Sequence, residues 1–180
     1  MRIISGQLGS RHLKSPPENI YLRPTTDRAR ETVFNILSNK ISFLNLKVSD
    51  LFCGTGSFGL ECISRGVKEC TFVDKNTMYV KKNCELLGIK NSVKFIKSDA
   101  IKYLQEITDS PEAFDLIFAD PPYIYDHYEK LINTISKFKT IFILEHESKM
   151  HLSVQSDKIL LNKKIGISEF TIYDFRNNNF

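Results

Sequence analysis

A glycine loop set between a strand-like run and a helix-like one narrows the folds open to this chain more than any other feature. Asp50-Leu51-Phe52-Cys53-Gly54-Thr55-Gly56-Ser57-Phe58-Gly59 joins the run Val48 to Phe52 to the run Phe58 to Arg65. Glycines at 54 and 56 let the backbone turn tightly and approach a ligand closely, and the amides that open the following helix offer donors to an electron-rich group. Gly54, Gly56 and Gly59 also satisfy G-x-G-x-x-G, so a dinucleotide site has to be weighed. A further strand, Glu69 to Asp74, ends in an acid eighteen residues after Gly56, about where a carboxylate accepts from a ribose hydroxyl pair. The spacing implies an adenosine-type nucleoside and leaves NAD and S-adenosylmethionine open.

Two features favour a cationic cofactor and an amine substrate. Asp50, at the loop's entrance, would repel a pyrophosphate but is compatible with a sulfonium or ammonium group. After a third strand, Ser92 to Lys97, the residues Ser98-Asp99-Ala100 place a carboxylate to accept from an adenine amino group. The fourth apolar run, Phe114 to Ala119, ends in Asp120-Pro121-Pro122-Tyr123. Two prolines forbid both strand continuation and helix entry, so the chain leaves the sheet as a rigid extended elbow. That elbow combines an acceptor, a stiffened backbone and an aromatic face at the carboxyl edge of a sheet, where open α/β folds bind ligands.

These motifs, with the start Met1-Arg2-Ile3-Ile4-Ser5-Gly6 and the segment Arg23-Pro24-Thr25-Thr26-Asp27-Arg28-Ala29-Arg30-Glu31-Thr32-Val33-Phe34-Asn35, occur in an order that spans nearly the whole chain. In that order the chain resembles a class I S-adenosylmethionine-dependent methyltransferase, specifically the bacterial small-subunit (16S) rRNA guanine-N2 methyltransferase family. The resemblance implies a Rossmann-like, doubly wound seven-stranded sheet with the last strand inserted antiparallel. It implies S-adenosylmethionine as cofactor, held by Asp50, Gly54, Thr55, Gly56, Asp74, Lys75, Asp99 and Ala100. It also implies that Asp120 and the Pro121 carbonyl orient a guanine N2 amine toward the methyl group, with Tyr123 stacking on the base and Pro122 stiffening the turn. Asp rather than Asn at 120 permits guanine without demanding it.

Charge locates the expected RNA contact. Residues 1 to 30 carry six cations, Arg2, Arg11, Lys14, Arg23, Arg28 and Arg30, against Glu18 and Asp27, a balance of +4 that equals that of the entire chain. Five of the six are arginines, whose planar fork suits phosphate and base stacking. Arg2, Arg11, Arg23, Arg28 and Arg30 are therefore the candidate RNA contacts, with Arg23, Thr25 and Arg30 alternatively facing the methionine end of the cofactor. The partner expected is 16S rRNA in a partly assembled small-subunit particle.

At 180 residues and 42% hydrophobic content, one domain buries a substantial core and leaves no room for a second. A small basic hairpin (Arg2 to Ile4 with Arg11 to Leu13) in an extension over residues 1–22 should append to a catalytic core over residues 23–176. A helix follows Thr25 to Asp27, with Ala29, Val33, Ile36 and Leu37 on one face. Beyond the elbow, His127 to Phe138 reads as a helix and Thr140 to Leu144 as a fifth strand. Val154 to Leu161 and Ser168 to Phe175 read as a closing antiparallel pair. No apolar run reaches membrane-span length and no signal pattern opens the chain, so a cytosolic protein is expected; a monomer is the expected state. The cysteines at 53, 62, 70 and 84 lack C-x-x-C spacing, which implies free thiols and no metal. His127 reads as helix surface and Glu145-His146-Glu147 as polar residues at a strand end. Three other readings stand beside the first: a DNA adenine-N6 methyltransferase, a non-catalytic RNA-binding or assembly module that keeps the cofactor pocket, and an NAD dehydrogenase.

Overall fold

A computed structural model describes residues 1–16, 27–122, 124–150 and 152–177. Arg23, Thr25 and Tyr123 lie outside the described residues. Helices and strands follow in the order α1 (Asp27–Ser38), β1 (Lys47–Leu51), α2 (Ser57–Ser64), β2 (Glu69–Asp74), α3 (Met78–Leu87), β3 (Val93–Lys97), α4 (Ala100–Glu106), β4 (Leu116–Ala119), α5 (Tyr128–Ile135), β5 (Ile141–Glu147), β6 (Ile159–Ile165) and β7 (Ser168–Asp174). The sheet order is β3-β2-β1-β4-β5-β7-β6. Strands β1 to β5 run parallel, and β7 lies antiparallel between β5 and β6. This is the seven-stranded arrangement expected from the sequence.

Alternation along the strands divides the core into two layers. Val48, Leu116, Phe118, Ile141 and Ile143 pack on one face against Val33 and Phe34 of α1, Phe58 and Leu60 of α2 and Val80 of α3. Leu51, Val73, Ile117, Ala119, Phe142 and Leu144 pack on the other against Leu104 of α4 and Leu131, Ile132 and Ile135 of α5. Strand order reverses between β1 and β4, so the β1–α2 loop and the chain leaving β4 flank the switch point.

Two boundaries differ from the expected ones. Strand β6 occupies Ile159–Ile165 rather than Val154 to Leu161, with a short 3-10 turn at Ser156–Lys158 before it. As an edge strand, β6 exposes Leu160, Asn162, Lys163 and Lys164, so its sequence reads as polar. The N-terminal hairpin is reduced to one antiparallel bridge, Arg2 to His12.

Nor is that segment an appendage. Ile3 is wholly buried and Leu13 nearly so, both in the α1–α3 layer. Buried Glu61 on α2 accepts from the amides of Ile4 at 2.6 Å and Ser5 at 3.1 Å and from Arg65 Nε at 2.8 Å. Asn83, buried on α3, accepts from the Lys14 amide at 2.7 Å and donates through Nδ2 to the carbonyls of Lys14 (3.1 Å) and Thr55 (2.9 Å). The N-terminal segment is thus fastened to the glycine loop itself.

Candidate active site

The glycine loop is shaped by packing as much as by any ligand. Gly54 (φ 51°) and Gly56 (φ 77°) both adopt left-handed backbone, which glycine enters without steric cost. A Cβ on Gly56 would meet Val80 at 2.4 Å, and one on Gly59 would meet the Phe72 ring at 2.4 Å and Cys70 Sγ at 2.6 Å. The third glycine of the motif therefore lets α2 lie directly on β2. Gly54 faces the cleft, whereas Gly56 is buried and serves as the residue preceding α2.

A cleft of about 450 Å³ opens along the carboxyl ends of β1, β2, β4 and β5, within the roughly 300–1,000 Å³ of small-molecule sites. Gly54, Thr55, Asp74, Lys75, Asp99, Ala100, Asp120, Pro121 and Pro122 all line it. Asp74 Oδ2 accepts from the Gly54 amide at 2.9 Å and Oδ1 from the Asn76 amide at 2.8 Å, and each oxygen keeps a lone-pair site for a further donor. Asp99 caps α4, its Oδ1 accepting from the amides of Ile101 (3.0 Å) and Lys102 (3.2 Å). Its Oδ2 lies 3.6 Å from Lys75 Nζ. The elbow leaves β4 as expected, and the Pro122 carbonyl accepts from the Tyr125 amide at 2.8 Å.

Three of the expected site residues stand apart from the lining of the cleft. Asp50 does not reach the cleft: it is 2% exposed, accepts from the Gly59 amide at 2.9 Å, and lines a separate cavity of about 30 Å³ behind the loop. Burial pushes its carboxyl up to about 8. Its position on β1 turns it toward the α1–α3 layer, on the face of Val48. Gly56 is the second, a packing residue rather than a wall of the cleft. Arg30 is the third. It is 2% exposed, lines the same small cavity, and donates to the carbonyls of Arg2 (2.6 Å) and Ser57 (3.2 Å) and to Asp27 Oδ1 (2.6 Å). Its guanidinium joins the N-terminal segment to the start of α2, out of reach of an external phosphate. Arg2, Arg11 and Arg28 are exposed.

The sequence reading missed several walls of the cleft. Tyr125 lines it, with its ring edge-on to Phe52 (5.2 Å) and Tyr128 (5.2 Å). Its buried hydroxyl has no hydrogen-bond partner among the described residues, and burial raises its pKa. Glu145, His146 and Glu147 also line the cleft, so this cluster is more than strand-end polarity. Burial lowers the pKa of His146, and its ring nitrogens contact Thr171 Oγ1 (2.8 Å) and the Glu147 carbonyl (2.9 Å). The signal available was position: these residues end the strand beside the elbow. His127 is exposed at the start of α5, 3.3 Å from Asp126. All four cysteines are free and buried.

The family described as Conserved hypothetical protein 95 matches residues 1–174. The chain belongs to this family. Similar relatives include Ribosomal RNA small subunit methyltransferase D of Buchnera aphidicola, 37% identical over 91% of this chain and 86% of the relative. The protein of the same name from Haemophilus influenzae is 30% identical over 96% and 93%. Among solved structures, the Escherichia coli yhhF protein matches with a TM-score of 0.78 at 27% identity, covering 97% of each chain. The Thermus protein TTHA0928 matches at 0.81 and 22% identity, covering 97% of this chain and 99% of that one, which concerns the fold alone. The architecture is that of class I S-adenosylmethionine-dependent methyltransferases. Among the described residues, no helix is long and apolar enough to cross a membrane, and no cluster of three or more His, Cys, Asp or Glu is disposed to hold a metal.

Proposed function

We propose that this protein transfers a methyl group from S-adenosylmethionine to the exocyclic N2 amine of a guanine in small-subunit (16S) rRNA. One observation carries the reading: the acids ending β2 and β3 and the Asp-Pro-Pro elbow ending β4 line a single cleft. The donor set suits the cofactor. Asp74 would accept from the ribose hydroxyls and Asp99 from the adenine amine, while Gly54 and Thr55 bring backbone close to the methionine portion. When bound, the cofactor supplies an electrophilic methyl on sulfonium.

A guanine N2 amine is a weak nucleophile because its lone pair is delocalised into the ring, so positioning has to supply much of the rate. Asp120 would accept one amine hydrogen and the Pro121 carbonyl the other, which aims the nitrogen lone pair and stabilises positive charge as it develops, and the methylated amine then loses one proton to water. Tyr123 would stack on the base, worth roughly 1–3 kcal/mol. Exposed Arg2, Arg11 and Arg28, with Arg23, would contact RNA phosphates. The names of the relatives support a small-subunit rRNA substrate. A cytoplasmic monomer acting on a partly assembled particle completes the proposal.

Labelled S-adenosylmethionine incubated with small-subunit particles lacking the mark tests it. Incorporation into 16S rRNA as N2-methylguanine is expected, with Asp120→Ala abolishing it. An unchanged rate in Asp120→Ala, or label found in duplex DNA instead, would overturn it.

A further inference from the structure

Ile124 is 93% exposed, against 66% for Leu44, the next most exposed large apolar side chain among the described residues. A lone exposed apolar group carries no meaning by itself, but the place of this one does. The Tyr125 amide donates to the Pro122 carbonyl at 2.8 Å and closes a turn that contains Ile124. Pro122 and Tyr125, the two ends of that turn, both line the cleft, whereas Ile124 is outside its lining. The turn is held at one end by the fixed φ of proline and at the other by the Tyr125 ring, edge-on to Phe52 and Tyr128 at 5.2 Å each. Turns favour Gly, Asn, Asp and Ser, so local backbone geometry gives no reason for an isoleucine. Its branched Cβ also makes it stiff at χ1. A stiff apolar side chain thus projects from the rim of the site, four residues after Asp120.

We propose that Ile124 is a wedge that enters the RNA base stack and fills the gap left by the guanine drawn into the cleft. The inference rests on the methyl transfer proposed above. A stacked guanine reaches Asp120 and Pro121 only by leaving its neighbours, and that unstacking costs free energy. Left unfilled, the gap lets the flanking bases close on each other or draws the guanine back. Proteins that kink a duplex hold base steps open with apolar side chains, isoleucine among them. Inserted beside the elbow, Ile124 exchanges water for base faces, which offsets part of the unstacking. Its action is on extraction of the base, and the transfer step itself does not involve it.

Removing the stack in advance isolates the wedge. Small-subunit particles are assembled on 16S rRNA ligated so that the guanosine which the protein methylates is flanked by its natural neighbours or by an abasic nucleotide on each side. On the natural particle, Ile124→Ser should lose about tenfold or more in kcat/KM, while Ile124→Leu stays within about threefold of wild type. On the abasic-flanked particle no stack has to open, so Ile124→Ser should match wild type within about threefold. Equal losses on the two particles, such as a protein contact of Ile124 or a disturbed turn would produce, would overturn the inference. So would an Ile124→Ser rate equal to wild type on the natural particle, or an Ile124→Leu loss as large as that of Ile124→Ser. A second measurement needs no variant: 2-aminopurine placed next to the target guanosine should brighten when the wild-type protein binds, because the wedge keeps the flanking bases from closing, and unchanged fluorescence would overturn the inference. Failure of the wild-type protein to methylate even the natural particle is a different result, which overturns the methyl-transfer reading and this inference with it.

Discussion

The carboxylate of Asp74, at the tip of β2, accepts the backbone amide of Gly54 at 2.9 Å. One side chain thereby fixes the glycine loop and presents its remaining lone pairs to the cleft. Asp74→Asn would place an amide hydrogen against either the Gly54 or the Asn76 amide. We expect a loss of about 1–2 kcal/mol in unfolding free energy and at least about a tenfold drop in S-adenosylmethionine affinity, equivalent to about 1.4 kcal/mol. Calorimetric titration of the two proteins checks this; equal affinities would remove Asp74 from the cofactor site.

Asn83 joins three parts of the chain through one buried amide, and alanine there strands the Lys14 amide and the carbonyls of Lys14 and Thr55. Leaving buried groups unpaired costs about 1–3 kcal/mol each where water cannot reach them. Asn83→Ala should destabilise the protein by about 2–4 kcal/mol in urea unfolding. Asn83→Asp should be no better, since a carboxylate would face the two carbonyls. A cost below about 0.5 kcal/mol for Asn83→Ala would show that water replaces these bonds.

Gly59→Ala probes the contact between α2 and β2. The added methyl would meet the Phe72 ring at 2.4 Å and Cys70 Sγ at 2.6 Å, and both groups are wholly buried. Overpacking of this kind costs about 1–3 kcal/mol. Thermal unfolding should fall accordingly, and an unchanged midpoint would mean that the helix shifts at no cost.

Asp50 gives the stability a pH dependence of definite sign. Burial raises its carboxyl from an ordinary value of 3.8 to about 8 in the folded chain. Between those values the folded protein holds a proton that the unfolded chain has released, so this group's contribution falls as pH rises and is fully lost above about 8. A single proton gives a slope of at most about 1.4 kcal/mol per pH unit. Asp50→Asn keeps an acceptor for the Gly59 amide and removes the titration. Its unfolding free energy should therefore gain on wild type steadily from pH 5 to pH 8 in denaturant titrations. Parallel profiles would show that Asp50 is ionised in the folded state throughout.

The strands that carry the site were legible because each is a short apolar run ending in a residue with distinctive chemistry. Glu69–Asp74 has the bounds expected for it, and β1, β3 and β4 differ from expectation by at most two residues at either end. The far end of β5 was not legible. Glu145, His146 and Glu147 read as polar residues at a strand end just past Leu144, yet pairing with Phe170, Glu169 and Ser168 of β7 draws all three into the sheet. Strand β6 was displaced for a related reason, since an edge strand's exposed lysines hide its alternation. Asp50 and Arg30 show a different limit. Their charge marked them as surface or ligand groups, and only the packing of α1 and α2 over β1 reveals that both are enclosed together.

The attachment of residues 1–16 to Glu61 and Asn83 also orders events during synthesis. This segment leaves the ribosome well before α2 and α3 exist, so its partners are missing when it first appears. Its amides at Ile4, Ser5 and Lys14 remain hydrated until those helices form, and docking is then a late step that completes the glycine loop from outside. A nascent chain halted before Asn83 would carry the Asp50 to Gly59 sequence without the bond that holds Thr55 in place.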